Sequence, residues 1–400
     1  MNVAMIDPSL FTWPYDSELA LALRRAGHEV LLYGSESRLR EQHPGAARQL
    51  LRNHFYRDFQ QKQWLSFSRT VTRIAKGIDH IFSMRQLADE FSRVRPDVIH
   101  FQWTPLPVVD HSFLPALRSI APLVLTVHDS TPFNGTPRSF VQNWGARTIA
   151  RGFDRVIVHT RTAVERIAAQ GVERRKITII PHGPLQLPAK PATSGDSRDD
   201  GKVRLLFFGK IQPYKGLDLL LKALATMPDA FANRWTLRVV GEPYMDVNPL
   251  LELARESGIH DRIEFDFRFV MESEIAGLFT AADLLVMPYR AIDASGVLMS
   301  SLAAGLPIVA SRLGAFSELL TDGQHGRLFE PEDVAALASA LTDLIGNPAS
   351  LAYMGLQVRR LFSDIPDWDE IARRTAQLYA GARDADAAAS TAIDAQNRAP

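Results

Sequence analysis

Residues 203–216 read Val-Arg-Leu-Leu-Phe-Phe-Gly-Lys-Ile-Gln-Pro-Tyr-Lys-Gly, and Leu217–Thr226 continues Leu-Asp-Leu-Leu-Leu-Lys-Ala-Leu-Ala-Thr. A short apolar run, a loop bracketed by glycines and a leucine-rich helical stretch make a strand–turn–helix unit. In parallel α/β sheets such turns lie at the carboxyl ends of the strands, where ligands bind. Gly209 lets the backbone turn and a ligand approach. The helix start adds free N–H groups and a partial positive charge. Lys210 and Lys215 add two full charges. The arrangement suits a pyrophosphate dianion; two solvated lysines on a surface loop are the alternative reading.

The same alternation extends both ways. Towards the C-terminus, strand candidates fall at 236–240, 263–267, 284–287 and 307–310, with helices at 272–281, 297–304 and 334–345. Towards the N-terminus, they fall at 3–6, 29–33, 98–101, 123–127, 155–159 and 177–180, with helices at 17–26 and 162–170, each ended by glycine. Residues 186–202, rich in Pro, Ser, Gly and Asp, separate the two series as a linker. The expected class is α/β, with two doubly wound Rossmann-like domains facing across a cleft. Residues 1–185 are expected to form the first domain and 203–365 the second. A helix over 366–382 packs back on the first domain, and 383–400 form a disordered tail.

Composition narrows the function. Four hundred residues suit two domains, and a formal net charge of zero gives no global field towards nucleic acid. The absence of cysteine excludes disulfides, thiolate metal sites and a cysteine nucleophile. No basic n-region opens the chain and no run of about 18 apolar residues occurs, so the expected location is cytoplasmic. No G-x-G-x-x-G follows the first strand, which argues against a nicotinamide oxidoreductase.

Two further stretches carry chemistry. Asp293-Ala294-Ser295-Gly296-Val297 follows a strand and opens a helix, a second anion site by backbone geometry or an ordinary helix start capped by Ser295. His128 ends a first-domain strand in Thr126-Val127-His128-Asp129, and His100 and His182 occupy comparable places. A histidine there can donate to a sugar hydroxyl or phosphate, or be structural.

Gly209-Lys210…Lys215-Gly216, Ser295-Gly296-Val297 with Ala303-Ala304-Gly305-Leu306-Pro307, Thr126–Asp129 and Ile180-Pro181-His182-Gly183 together resemble the family 4 glycosyltransferases of GT-B fold, in order over roughly 1–382. The resemblance implies a nucleotide-diphosphate sugar as donor, no cofactor and no metal, and mostly retention of configuration. It implies that Gly209, Lys210, Lys215, Ser295, Gly296 and Val297 hold the donor diphosphate, and that His128 lines the site near the transferred sugar. Where members carry two glutamates seven residues apart, this chain has Asp293 or Ile292, then Ser300 or Ser301. Asp293 is expected to act with His128 and Lys215 as catalytic, and Ser300 or Ser301 to meet a ribose hydroxyl. The glycine-rich loop usual after the first strand is replaced by Pro8–Ser17, which is aromatic; Tyr15, Asp16 and His100 are the acceptor-side candidates.

Residues 37–76 hold nine Lys or Arg against two acidic residues, interleaved with Phe55, Tyr56, Phe59, Trp64 and Phe67. Basic-aromatic helices lie on anionic membranes, so a peripheral position on the inner face of the cell membrane is expected, with a solvated helical face as the alternative. The expected function is transfer of a sugar to a lipid-linked or polysaccharide acceptor, with no nucleic acid partner. An epimerase, a phosphorylase or a non-catalytic sugar-binding protein on the same architecture are the competing readings.

Overall fold

The computed structural model describes residues 1–36, 46–57, 69–130, 145–185 and 201–397. Among them the chain divides into two compact units. One runs up to Gly183 and resumes at Pro366; the other spans Pro184–Ile365.

The first unit is built on a seven-stranded parallel sheet: β1 (Asn2–Asp7), β2 (Glu29–Gly34), β3 (Leu51–Asn53), β4 (Val98–Phe101), β5 (Leu123–Val127), β6 (Arg155–Val158) and β7 (Ile177–Ile179). Its order is β3-β2-β1-β4-β5-β6-β7. The second unit holds six parallel strands: β8 (Val203–Phe208), β9 (Trp235–Val240), β10 (Ile263–Asp266), β11 (Leu284–Met287), β12 (Ile308–Ser311) and β13 (Gly326–Phe329), ordered β10-β9-β8-β11-β12-β13. Strand order reverses beside β1 in one sheet and beside β8 in the other. Doubly wound sheets bind ligands at these reversals.

Alternation along each strand feeds two cores. Val203, Leu205 and Phe207 face one side of the second sheet with Trp235, Leu237 and Val239, under the helices Leu217–Ala225 and Val334–Gly346. Leu206, Val240, Leu285 and Met287 face the other, against Phe279, Leu298 and Leu302. Local signals set the helix ends. The Thr160 hydroxyl accepts the Ala163 N–H at the start of Arg161–Ala169, and Gly171 follows its end at φ +93°.

Three expectations change. β3 and β13 were not foreseen, because Leu-Arg-Asn and Gly-Arg-Leu-Phe are too short to show a period. The first helix begins at Trp13, with Pro14 in its first turn, rather than at Ser17. Residues 383–397 are not a disordered tail but part of one helix, Trp368–Asn397, whose alanine-rich end has high intrinsic propensity. In the first unit Ile371, Ala372, Leu378 and Tyr379 of that helix join the core containing Leu19 and Leu23. The proposed linker, 186–202, lies outside the described residues except at its last two positions, as does much of the basic-aromatic stretch.

Candidate functional site

In the second unit the loops after β8 and β11 meet at the strand-order reversal. Gly209 ends β8 at φ +104°, and a Cβ there would lie 2.6 Å from Lys215 Nζ. The chain then makes one 3-10 turn, Pro213–Lys215, and passes through Gly216 at φ +69° into the Leu217–Ala225 helix. A Cβ on Gly216 would stand 2.0 Å from the Pro288 carbonyl oxygen, so only glycine lets this loop lie against the end of β11.

That approach brings Lys215 indoors. It is 6% exposed, its Nζ lies 5.1 Å from the Tyr289 ring centroid and 3.5 Å from the Phe208 carbonyl oxygen. Burial, and then the charge of Lys210, push its amine down to about 7. Lys210 Nζ lies 5.5 Å from the Tyr244 ring centroid. A buried amine close to neutrality is held where an anion would supply the missing counter-charge.

The second anion element sits on the neighbouring strand. Ser295 caps the Gly296–Ala304 helix, its hydroxyl accepting the Leu298 N–H at 3.3 Å. Gly296 and Val297 form the first turn of that helix, whose leading amide groups have no partner within it. Asp293 is buried at 2% exposure just before the cap, and its carbonyl oxygen accepts the Ala315 N–H.

The two serines are placed differently from expectation. Ser301 is wholly buried and donates to the Leu306 carbonyl oxygen at 2.9 Å, closing the end of its own helix. Ser300 is 6% exposed and donates to the Gly296 carbonyl oxygen at 3.1 Å, one turn back. Both hydroxyl protons are thus taken by backbone carbonyl oxygens of the helix and its C-terminal turn.

A residue not singled out from sequence fastens this site. Arg290 donates to the Pro213 carbonyl oxygen at 2.7 Å and to both oxygens of Asp218 at 2.9 and 2.8 Å, while its backbone N–H donates to the Tyr214 carbonyl oxygen. Burial raises the Asp218 carboxyl and the Arg290 guanidinium more than reverses this, leaving it below its ordinary value. The guanidinium thus straps the turn that carries Lys215 to the end of β11. Its sequence signal was the polar Arg closing Pro288-Tyr289-Arg290 directly after a buried strand.

In the first unit, four histidines gather at the carboxyl edge. His128 lies between Gln102 (Nε2 to Oε1, 3.2 Å) and His159 (Nδ1 to Nε2, 3.2 Å), and His159 Nδ1 meets the Ile180 carbonyl oxygen at 2.9 Å. Burial, then the neighbouring imidazoles, lower the basicity of His128, and burial takes His159 to about 3. With both imidazoles neutral, three contacts share two ring N–H groups; a Gln102 amide turned with nitrogen towards His128 supplies the third. His128 is half-buried, and both of its ring nitrogens are engaged within this cluster.

The three acceptor-side candidates are all interior. His100 is fully buried between the Tyr379 hydroxyl (2.6 Å) and Thr126 (2.7 Å), and burial takes its basicity to about 3. It joins the C-terminal helix to the sheet and is not open to an acceptor. Asp16 is fully buried and accepts from the Thr12 hydroxyl at 3.0 and 3.1 Å. Burial, and then the charge of Asp7, push its carboxyl well up. Tyr15 is 3% exposed, with ring centroids of His128, His159, His182 and Trp368 at 4.7–5.2 Å. The aromatic residue of this loop that does face solvent is Phe11, 52% exposed.

Among the described residues no group of three or more His, Cys, Asp or Glu could hold a metal ion, and no single helix is long and apolar enough to cross a membrane.

Comparison with known proteins bears on both units. Residues 202–347 match the family model described as glycosyl transferases group 1, and residues 12–183 match that of the glycosyl transferase 4-like domain. The D-inositol 3-phosphate glycosyltransferase of Streptomyces avermitilis is 31% identical over 297 residues, 68% of this chain and 63% of that protein. The GDP-mannose-dependent alpha-(1-6)-phosphatidylinositol monomannoside mannosyltransferase of Mycolicibacterium smegmatis is 30% identical over 183 residues, 44% of this chain and 47% of that protein. The chain spans 63–66% of the length of the curated relatives it matches first. Among solved structures, Anabaena Alr3699/HepE in complex with UDP and glucose superposes with a TM-score of 0.69 at 19% identity, over 95% of this chain and 100% of the other. The sucrose-phosphate synthase of Thermosynechococcus elongatus gives 0.71 at 18% identity, over 95% and 98%. At these identities the structures speak to fold.

Proposed function

Because this chain belongs to the 4-like glycosyltransferases of GT-B fold, we propose that it is a hexosyltransferase that takes its sugar from a nucleotide-diphosphate donor. The observation that carries this reading is Lys215, buried on a glycine-bracketed loop beside the end of β11, with no carboxylate among its contacts with the described residues. The Gly296 helix start, on the same strand's loop, supplies backbone amides to the distal phosphate. As the bond between sugar and phosphate breaks, negative charge grows on the leaving diphosphate. Lys215, Lys210 and the amides of Gly296 and Val297 then stabilise it, and such preorganised electrostatic stabilisation is usually the largest single catalytic contribution. On the second unit Asp293 is assigned to the transferred sugar, and on the first unit His128 is assigned to a sugar hydroxyl. With retention of configuration, the acceptor hydroxyl approaches from the leaving-group face and passes its proton to the departing phosphate.

UDP in the HepE complexes and GDP-mannose in the mycobacterial relative's name motivate the donor class; inositol phosphate and phosphatidylinositol mannoside in the relatives' names motivate a cyclitol or glycosylated-lipid acceptor. The test is a panel of nucleotide sugars scored by thermal shift, followed by product analysis of the best binder with inositol phosphate and with phosphatidylinositol. Transfer releases the nucleoside diphosphate and forms a new glycoside. A bound donor returned unchanged or epimerised overturns the transferase reading.

We also propose that the first unit rests on an anionic membrane. Ile74, Ile78, Ile81 and Phe82 are 43–61% exposed on the helix Arg69–Val94. Their spacing puts them on one stripe, continuous in sequence with the basic-aromatic residues before it. Binding to phosphatidylglycerol vesicles is expected to weaken with salt and with Ile78→Ser/Phe82→Ser together, whereas neutral vesicles bind weakly throughout. Equal sedimentation with both vesicle types at low and high salt would remove the membrane from the account.

A further inference from the structure

The loop between β1 and the first helix spends local strain to show one aromatic ring to solvent. Leu10 stands at φ +46°, a backbone region that a branched side chain avoids. Its side chain is buried over Gly34, where a Cβ would lie 2.4 Å from Leu10 Cδ2. The next residue, Phe11, is thereby turned outward and is 52% exposed. The loop is held rather than loose. Asp7 accepts the N–H groups of Ser9 (3.1 Å) and Thr12 (3.0 Å), and the Thr12 hydroxyl bridges Asp7 and Asp16. Strained residues persist where their surroundings over-determine them, and they gather at ligand sites.

Phe11 does not stand alone. Trp103, two residues beyond β4, lies beside it with ring centroids 4.6 Å apart and planes 24° from parallel. β1 and β4 are neighbours, so the stacked pair sits at the carboxyl edge of the first sheet, at its strand-order reversal. Gln102, Thr104, His128 and Asp129 line the same hollow as Trp103.

We infer that Phe11 and Trp103 form a preformed platform for the acceptor, taking a ring-shaped polyol, a hexose or cyclitol, by stacking against its C–H face. This rests on the transferase reading above and deepens it. A flat aromatic surface matches the apolar face of such a ring, and the polar side chains beside Trp103 match its hydroxyl edge. An acyl chain would strip water from the half-buried Thr104, His128 and Asp129 side chains without offering them a hydrogen bond, at a cost. Holding the platform rigid in advance removes ordering cost from binding.

The test uses the purified full chain with D-inositol 3-phosphate and methyl α-D-mannopyranoside as probes, read by saturation-transfer difference NMR, with UDP thermal shift alongside. In the wild type, saturation passes from aromatic protons to the ring C–H protons of at least one probe. Phe11→Ala and Phe11→Leu weaken that probe's binding about five- to tenfold and Phe11→Tyr keeps it. UDP stabilises all four proteins equally, since donor contacts lie on other loops. Wild-type affinity in Phe11→Ala, or no saturation of either ring in the wild type, overturns the platform. Loss of UDP stabilisation in every protein instead overturns the donor site, and the NMR result still decides the platform.

Discussion

Lys215→Ala is expected to lower kcat by about 10²–10³, roughly 3–4 kcal/mol of transition-state stabilisation. Its amine is held inside a cage made by Gly209, Phe208 and Tyr289, where no acidic side chain among the described residues neutralises it. The charge it meets grows as the donor's glycosidic bond breaks. An interaction that strengthens in the transition state changes kcat, whereas one of constant strength changes only KM. The fold should survive, because burial of the amine opposes its charge and alanine removes that opposition. Lys215→Arg should keep part of the rate, with altered geometry. Lys210→Ala should be non-additive with Lys215→Ala, as both act on one diphosphate. Steady-state kinetics with the identified donor, beside melting temperatures, check this. A Lys215→Ala enzyme with wild-type kcat would show that the donor diphosphate binds elsewhere.

UDP affinity is expected to fall as pH rises from 7 to 9, by up to about tenfold per pH unit. In the empty site burial and then Lys210 hold the Lys215 amine at about 7, so above that pH it is mostly neutral. The diphosphate binds the ammonium, so binding takes up a proton in this range. The diphosphate itself is fully ionised above pH 7 and adds no slope. The free protein should respond in the opposite sense. A lysine whose folded value is depressed binds fewer protons than in the unfolded chain, so its contribution makes stability rise between about pH 7 and 10.5. Lys215→Arg stays charged throughout and should bind UDP with a flat profile. Isothermal titration in buffers of different ionisation enthalpy reads the proton uptake directly. A flat wild-type profile would show that Lys215 takes up no proton on binding, and the same slope in Lys215→Arg would assign the titration to another group.

The strand, glycine loop and helix of 203–226 were legible because each is a local signal. The apolar run 203–208, two glycines at positive φ and leucines at helical spacing all lie within two dozen residues. Both sheets followed from repetition of that pattern, and so did the position of Lys215 at a strand's carboxyl end. Its burial did not. That depends on Tyr289, and on Arg290 gripping Asp218 and Pro213 over 70 residues away in sequence. The acceptor side shows the same division. Sequence marked the Pro8–Ser17 loop as aromatic and polar, but which residue faces outward was decided by packing. His100 is closed off by Tyr379, 279 positions later in the chain, and Tyr15 by Trp368. Phe11 is turned out because Leu10 takes the space over Gly34. Type and order of elements are written in short-range periodicity; the exposure of a particular side chain is a property of contacts that only chain folding brings together.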